Sequence, residues 1–292
     1  MLRPSRSLLR SLATVAAVAV IAPGGAAAVL AAPAPSFAAL RVAGAAEVSD
    51  VYVRAPQNAQ PEQLLQVVIA LHGMGGNGAD FGSALAARAD NYGWLLVAPT
   101  INYGDWTDPN QITHEDPALV AWLSDYIQNL SDRTGYAVQP KVLLFGHSRG
   151  AQLALRFSEI HPEQVAGVAA VSAGTYTLPL TRDAVSGKVL DFPFGVADLA
   201  RDDGGQPFDA SQFDTLPVWI GVGGADANPA DVPAAWTPYI GPDRVDRAQT
   251  FADTLRNQGG DVSLTVFPDI DHTLTDAMRA AGCSALESDI TG

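Results

Sequence analysis

Cysteine is almost absent: Cys283 is the only one in 292 residues. One thiol cannot close an internal disulfide, so the hydrophobic core alone must hold the fold, and the only covalent option left is pairing between chains through Cys283. Basic charge is scarce as well. Lys and Arg number 17 against 31 Asp and Glu, a formal net charge of −14 at pH 7. Such a surface repels the phosphates of nucleic acid and of anionic lipid, so neither is expected as a partner; the charge points to a neutral rather than a polyanionic substrate, or serves solubility alone, which is the better-supported of the two readings. Long apolar runs are missing beyond the first forty residues, which excludes a membrane span in the remainder.

What is present starts with three arginines, Arg3, Arg6 and Arg10, leading into an Ala/Val/Leu run over residues 8–22 that Pro23, Gly24 and Gly25 interrupt. A basic start, a short apolar stretch and small residues around Ala28 and Ala38 form the layout of a secretory signal, and residues 1–38 are read as one. An uncleaved anchor is the rival reading, because the apolar stretch approaches the roughly 20 residues a span needs. Export to the periplasm or the medium follows from the first reading, with no stable membrane association once the leader is gone. Loss of the three leader arginines, with no acid among the first 38 residues, takes the charge to −14 − 3 = −17. Residues 39–292, in a chain with 48% hydrophobic content, are enough for a single domain with one large core.

Short apolar runs then alternate with longer amphipathic ones, the pattern of a mostly parallel sheet covered by helices. Strands are expected at 48–53, 67–71, 94–99, 141–145, 165–172, 217–222 and 262–267. Helices are expected at 79–92, 117–130, 149–160, 243–258 and 275–281. Residues 175–215 break the rhythm with Pro179, Pro193, Pro207 and the pair Gly204-Gly205. Long irregular insertions in compact domains are commonly functional, so this one is read as a lid or pocket wall, against a plain surface excursion.

The sharpest motif is Gly146-His147-Ser148-Arg149-Gly150. It fits G-x-S-x-G between an expected strand and an expected helix, the setting a nucleophile elbow requires. Side chains two positions either side of the serine would collide in so tight a turn. Upstream, at the end of another strand, lies His72-Gly73-Met74-Gly75-Gly76-Asn77-Gly78. Small residues there let backbone N–H groups approach a developing oxyanion. A phosphate loop is disfavoured, because no Gly-Lys-Ser/Thr ending follows.

A serine nucleophile needs a base, and there are five histidines. His161 precedes Pro162 at a helix end and reads as a cap. His114 falls in a polar loop, while His72 and His147 flank the glycine loop and the serine, where they shape turns. His272 follows the last strand on a loop opening into a helix, at the sheet edge where open α/β sheets place their sites, and it is the candidate base. The acid that orients it should leave the preceding strand, which points to Asp226 in Gly223-Gly224-Ala225-Asp226. Asp231, Asp269 and Asp271 are the other acids nearby, each also explained as a turn residue.

The order Ser148, Asp226, His272 behind a His-Gly-x-Gly-Gly loop resembles the α/β-hydrolase superfamily, and within it the exported polyhydroxybutyrate depolymerase and feruloyl esterase-like branch. The resemblance spans roughly residues 48–281. It implies an α/β-hydrolase fold with a mostly parallel, doubly wound sheet, an acyl-serine intermediate, a neutral ester substrate of small or polymeric size, and no metal or organic cofactor. It also implies oxyanion donors at the backbone N–H groups of Met74 and Arg149, although Arg149 stands where many relatives carry a small or apolar residue. Trp106 and His114 either line an acyl pocket or pack beneath their loop. Amide cleavage by an exported peptidase would use the same three groups, and a binding protein on a hydrolase scaffold would use none of them.

Overall fold

Aliphatic, β-branched runs that are apolar at every position belong to strands buried on both faces, and the central strands here have that character. In the computed structural model, which describes residues 40–41, 47–57, 59–60, 62–202 and 206–291, they form one eight-stranded sheet. The expected leader, 1–38, lies outside the described residues. The strands are β1 (Leu40–Arg41), β2 (Glu47–Arg54), β3 (Gln66–Leu71), β4 (Trp94–Asn102), β5 (Val142–His147), β6 (Val165–Val171), β7 (Val218–Gly223) and β8 (Val262–Phe267). Their order across the sheet is β1-β2-β4-β3-β5-β6-β7-β8. Pairing is antiparallel at β1/β2 and β2/β4 and parallel from β4 onward.

Ten helices, counted among the described residues, flank the sheet: α1 (Gly78–Ser83), α2 (Ala86–Tyr92), α3 (Pro109–Gln128), α4 (Leu130–Thr134), α5 (Arg149–Ile160), α6 (Leu199–Asp202), α7 (Ala210–Phe213), α8 (Thr237–Ile240), α9 (Arg244–Gln258) and α10 (Asp276–Thr291). Successive strand residues point to opposite faces, and the core divides accordingly. Val67, Ile69 and Leu71 of β3 pack with α3, α5 and α9, whereas Val68 and Ala70 pack with α2 and α10. Among the described residues, no helix is long and apolar enough to cross a membrane.

Two expectations need correction. The helix expected at 79–92 is two, α1 and α2, separated by a turn at Ala84 and Leu85; Gly78 and Gly82 weaken helix propensity in its first half. The helix expected from Pro117 begins eight residues earlier, at Pro109, behind Asp108, whose side chain accepts from the Asn110 N–H at 2.9 Å. It runs through Pro117 because the turn before that proline is tied down: Glu115 and Asp116 are buried against arginines of α5. His114 therefore sits on a helix and not in a loop. Within residues 175–215, Tyr176, Leu178, Phe192 and Phe213 are buried in the core, while 181–189 and 206–212 are largely exposed.

Candidate active site

The parallel registers bring three strand ends to one edge. His147, the last residue of β5, pairs with Val171 of β6, and Gly223, the last of β7, pairs with Phe267 of β8. Ser148 follows β5, Asp226 follows β7 and His272 follows β8, so all three leave the sheet at its C-terminal edge. Ser148 turns the chain from strand to helix at φ 54° and ψ −117°. A positive φ is strained for any residue but glycine, and strain of this kind gathers at functional sites. Its N–H donates to the Val171 carbonyl at 2.8 Å, which fixes the turn against β6. The flanking glycines are steric necessities: a Cβ on Gly146 would sit 2.5 Å from the Gly150 carbonyl oxygen, and one on Gly150 would sit 2.0 Å from the Leu71 carbonyl oxygen.

The Ser148 Oγ lies 2.9 Å from His272 Nε2, and His272 Nδ1 lies 2.7 Å from Asp226 Oδ2. With Asp226 accepting from Nδ1–H, Nε2 is left to accept from the serine hydroxyl, the tautomer a general base needs. Burial pushes the Asp226 carboxyl up, but the His272 hydrogen bond and the Arg244 charge outweigh it and hold the group below the ordinary carboxylate value. The rival acids are elsewhere. Asp231 offers its backbone carbonyl to Arg244, Asp269 occupies a turn at φ 59°, and Asp271 accepts from the Thr273 N–H at 2.9 Å.

The glycine loop closes over the serine; a Cβ on Gly73 would lie 3.1 Å from the Ser148 Cβ. His72 orients it. The Ile101 N–H donates to His72 Nε2 at 3.0 Å, so the proton is on Nδ1, which donates to the Gly73 carbonyl at 2.7 Å. Burial lowers the His72 pKa and keeps this ring neutral. In a trans peptide the C=O and the following N–H point oppositely, so anchoring the Gly73 carbonyl aims the Met74 N–H the other way. Arg149 is the first residue of α5, where a helix N–H has no intrahelical partner. Beside the serine is a cavity of about 520 Å³ whose walls include Met74, Phe81, Ala84, His147 and Arg279. None of the described residues within 175–215 lines it.

Behind the elbow the Arg149 side chain is fully buried, donating to Glu115 at 3.0 Å and to Asp116, while the Arg156 Nη1 donates to Asp116 at 2.7 Å. Burial would depress the Arg149 pKa, but the two carboxylates reverse this and leave it raised. Glu115 also accepts from the Gly104 N–H at 2.9 Å, tying down the loop that carries Trp106. Trp106 is half-buried with its ring against Gly174 and does not line the cavity described above. His114 is exposed, its Nδ1 2.7 Å from the Asn110 carbonyl of its own helix, and it is not among the residues around the cavity beside Ser148. His147 Nε2 lies 3.3 Å from the His272 carbonyl, with the two rings 5.2 Å apart. Burial, then the neighbouring His272 charge, pushes His147 down to about 4. Sequence reading did not find the Arg244 bond to Asp226, the Ile101 bond that sets the His72 tautomer, or the approach of His147 to the His272 carbonyl, since these partners come from distant strands and loops. Among the described residues no three His, Cys, Asp or Glu side chains gather as a metal-ligand set.

No family model and no curated protein matches the chain in sequence. Its likeness is to solved structures. Poly(aspartic acid) hydrolase-1 from Sphingomonas sp. KT-1 superposes with a TM-score of 0.58 at 21% identity, covering 84% of this chain and 92% of that one. A phospholipase/carboxylesterase from Dyadobacter fermentans gives 0.54 at 19%, over 82% and 97%. An S-formylglutathione hydrolase from Agrobacterium tumefaciens gives 0.51 at 14%, over 87% and 96%. At these identities the likeness is one of fold. The chain has the α/β-hydrolase fold: a mostly parallel, mixed sheet flanked by helices, with short helical insertions.

Proposed function

We propose that this chain is a serine hydrolase that cleaves neutral carboxylic esters through an acyl-serine intermediate, with Ser148 as nucleophile, His272 as base and then acid, and Asp226 orienting the imidazole. The observation that carries the reading is the hydrogen-bonded series from Ser148 through His272 to Asp226 beneath an oriented glycine loop. Ser148 Oγ attacks the ester carbonyl carbon and its proton passes to His272 Nε2. The oxyanion so formed meets the N–H groups of Met74 and Arg149. Collapse breaks the bond to the alkoxy group, which leaves with the proton from His272. Water then attacks the acyl-serine by the same route, releasing the acid and restoring Ser148. The finer reading, a depolymerase or feruloyl esterase-like specificity, rests on motif resemblance, and export rests on the arginine-led leader at 1–38.

A panel of chromogenic esters of rising acyl length, with feruloyl and hydroxybutyrate esters and the matching amides, tests the reading. Wild type should turn over esters and be labelled once, at Ser148, by a fluorophosphonate. Ser148→Ala should lose turnover by on the order of a million-fold. Retained activity in a folded Ser148→Ala protein sinks the assignment. Amide turnover exceeding ester turnover would replace the ester class by the amide class. A new N-terminus between about residues 28 and 39 on exported material, read by mass spectrometry, tests the leader.

A further inference from the structure

Asp226 has two carboxylate oxygens, and they are divided. Oδ2 accepts from His272 at 2.7 Å, and Oδ1 accepts from Arg244 Nη1 at 2.9 Å. The pair is shut away from water, at 5% side-chain exposure for Arg244 and 2% for Asp226, where a full charge acts strongly on its neighbours. The guanidinium is held from behind as well, with Nη2 donating to the Asp231 carbonyl at 2.9 Å. Arg244 is the first residue of α9, whose cap Asp243 accepts from the Val245 and Asp246 N–H groups. A cation there opposes the helix dipole, so helix stability does not account for its position. Arg247, buried one turn on, contrasts with it: its donors go to the carbonyls of Gly174, Pro233 and Gly241 and to the Thr237 hydroxyl, not to a carboxylate.

We propose that Arg244 is a positioning residue of the Ser148, His272 and Asp226 series, holding the Asp226 plane and offsetting its charge so that Asp226 orients the imidazole without trapping a proton on it. This rests on the serine-hydrolase reading. An isolated buried carboxylate would favour the imidazolium and disable the base in weakly acidic water. The Arg244 charge balances that pull. Other ionisable groups surround the series: Arg247 and Tyr176 on the Asp226 side, and His147, Asp271 and Arg279 on the His272 side. Among the described residues, the side chains bonded to the Asp226 carboxylate are those of Arg244 and His272.

The test is the pH profile of kcat/KM on a neutral chromogenic ester for wild type, Arg244→Gln and Arg244→Lys. Gln keeps a hydrogen-bond donor without the charge, so the acidic limb should move up by about one pH unit, roughly tenfold lower activity below it. Lys keeps the charge, so its limb should stay within about 0.3 unit of wild type and its plateau within about tenfold. An active Arg244→Gln with an unmoved or lowered limb overturns the proposal, as does Lys shifting as far as Gln. Should Arg244→Gln not fold, Lys decides: a purely structural clamp, which needs the two-armed guanidinium, loses plateau turnover in the Lys variant, whereas charge offset survives. The rate of fluorophosphonate labelling at Ser148 against pH gives the same limb if no ester tried is a good substrate. Wild type that is neither turned over nor labelled removes the hydrolase reading and this proposal with it. An active wild type, a dead Ser148→Ala and an unmoved Gln limb remove the Arg244 role alone.

Discussion

Asp116 in the middle of α3 and Arg149 at the start of α5 form an ion pair with no solvent exposure beyond 1% on either side chain. The residue directly after Ser148 is thereby bound to a helix 33 positions earlier in the chain. Asp116 also pairs with Arg156 two turns along α5, and Arg156 reaches Thr175 at 2.7 Å and Thr177 at 3.1 Å beyond β6. The elbow is thus braced from behind by charge.

Asp116→Asn leaves Arg149 and Arg156 buried with Glu115 as the only carboxylate bonded to either among the described residues. Breaking one side of a buried pair costs about 3–5 kcal/mol, and a loss of that size is expected in urea unfolding at pH 7. Burial pushes the Asp116 carboxyl up, but the two arginines overcome it and leave it below its ordinary value. Its contribution is therefore present above about pH 4 and is lost as pH falls through the native value. The gap between wild type and Asp116→Asn should accordingly narrow at pH 2 to 3. A gap that is equal at pH 7 and pH 2.5 refutes the charge account.

His147 and His72 are held neutral by burial, His147 down at about 4. In the unfolded chain both take a proton near the ordinary value of about 6.5. The unfolded state therefore binds more protons between those limits, and stability should fall as pH drops from about 6.5 to about 4, by on the order of 1–3 kcal/mol. His147→Gln should flatten that part of the curve, measured by thermal unfolding across the range.

Asp226→Asn should cost roughly ten-thousand-fold in turnover near neutral pH, because an amide N–H facing Nδ1 favours the wrong imidazole tautomer. Asp231→Asn and Asp271→Asn should stay within a few-fold, as neither carboxylate is bonded to the ring. Loss of turnover in a folded Asp271→Asn with retention in Asp226→Asn would reassign the acid.

Cys283 on α10 is buried in the core with its thiol pushed up to about 12 by that burial. A buried, fully protonated thiol is a poor nucleophile, so native protein should resist alkylation and form no reducible dimer. One thiol per chain should react once denaturant is added. Rapid native labelling would contradict the packing.

The alternation of apolar and amphipathic runs was enough to place seven strands, since a strand buried on both faces is apolar along its whole length whatever its neighbours are. The elbow was equally legible, because the constraint that makes Gly146 and Gly150 necessary acts within five residues. The position of His272 after the last strand was legible too, and the fold brings its ring to 2.9 Å from Ser148. Other features depended on partners far apart in sequence. The start of α3 at Pro109 was missed because Pro117 argues against a helix locally, and only the ion pairs from Glu115 and Asp116 to α5 hold the preceding turn. His72 looked like a turn residue until Ile101, 29 positions away, fixed its tautomer.

Four aspartates lie close to the site in sequence, and loop position could rank them but not decide among them. The sheet sets β7 beside β8 and puts the Asp226 carboxylate between the His272 imidazole and the Arg244 guanidinium. Short-range steric and periodic demands are written in the order of residues. The direction in which a buried charge points is settled only when distant strands meet, because its energy depends on which opposite charge excludes water from it.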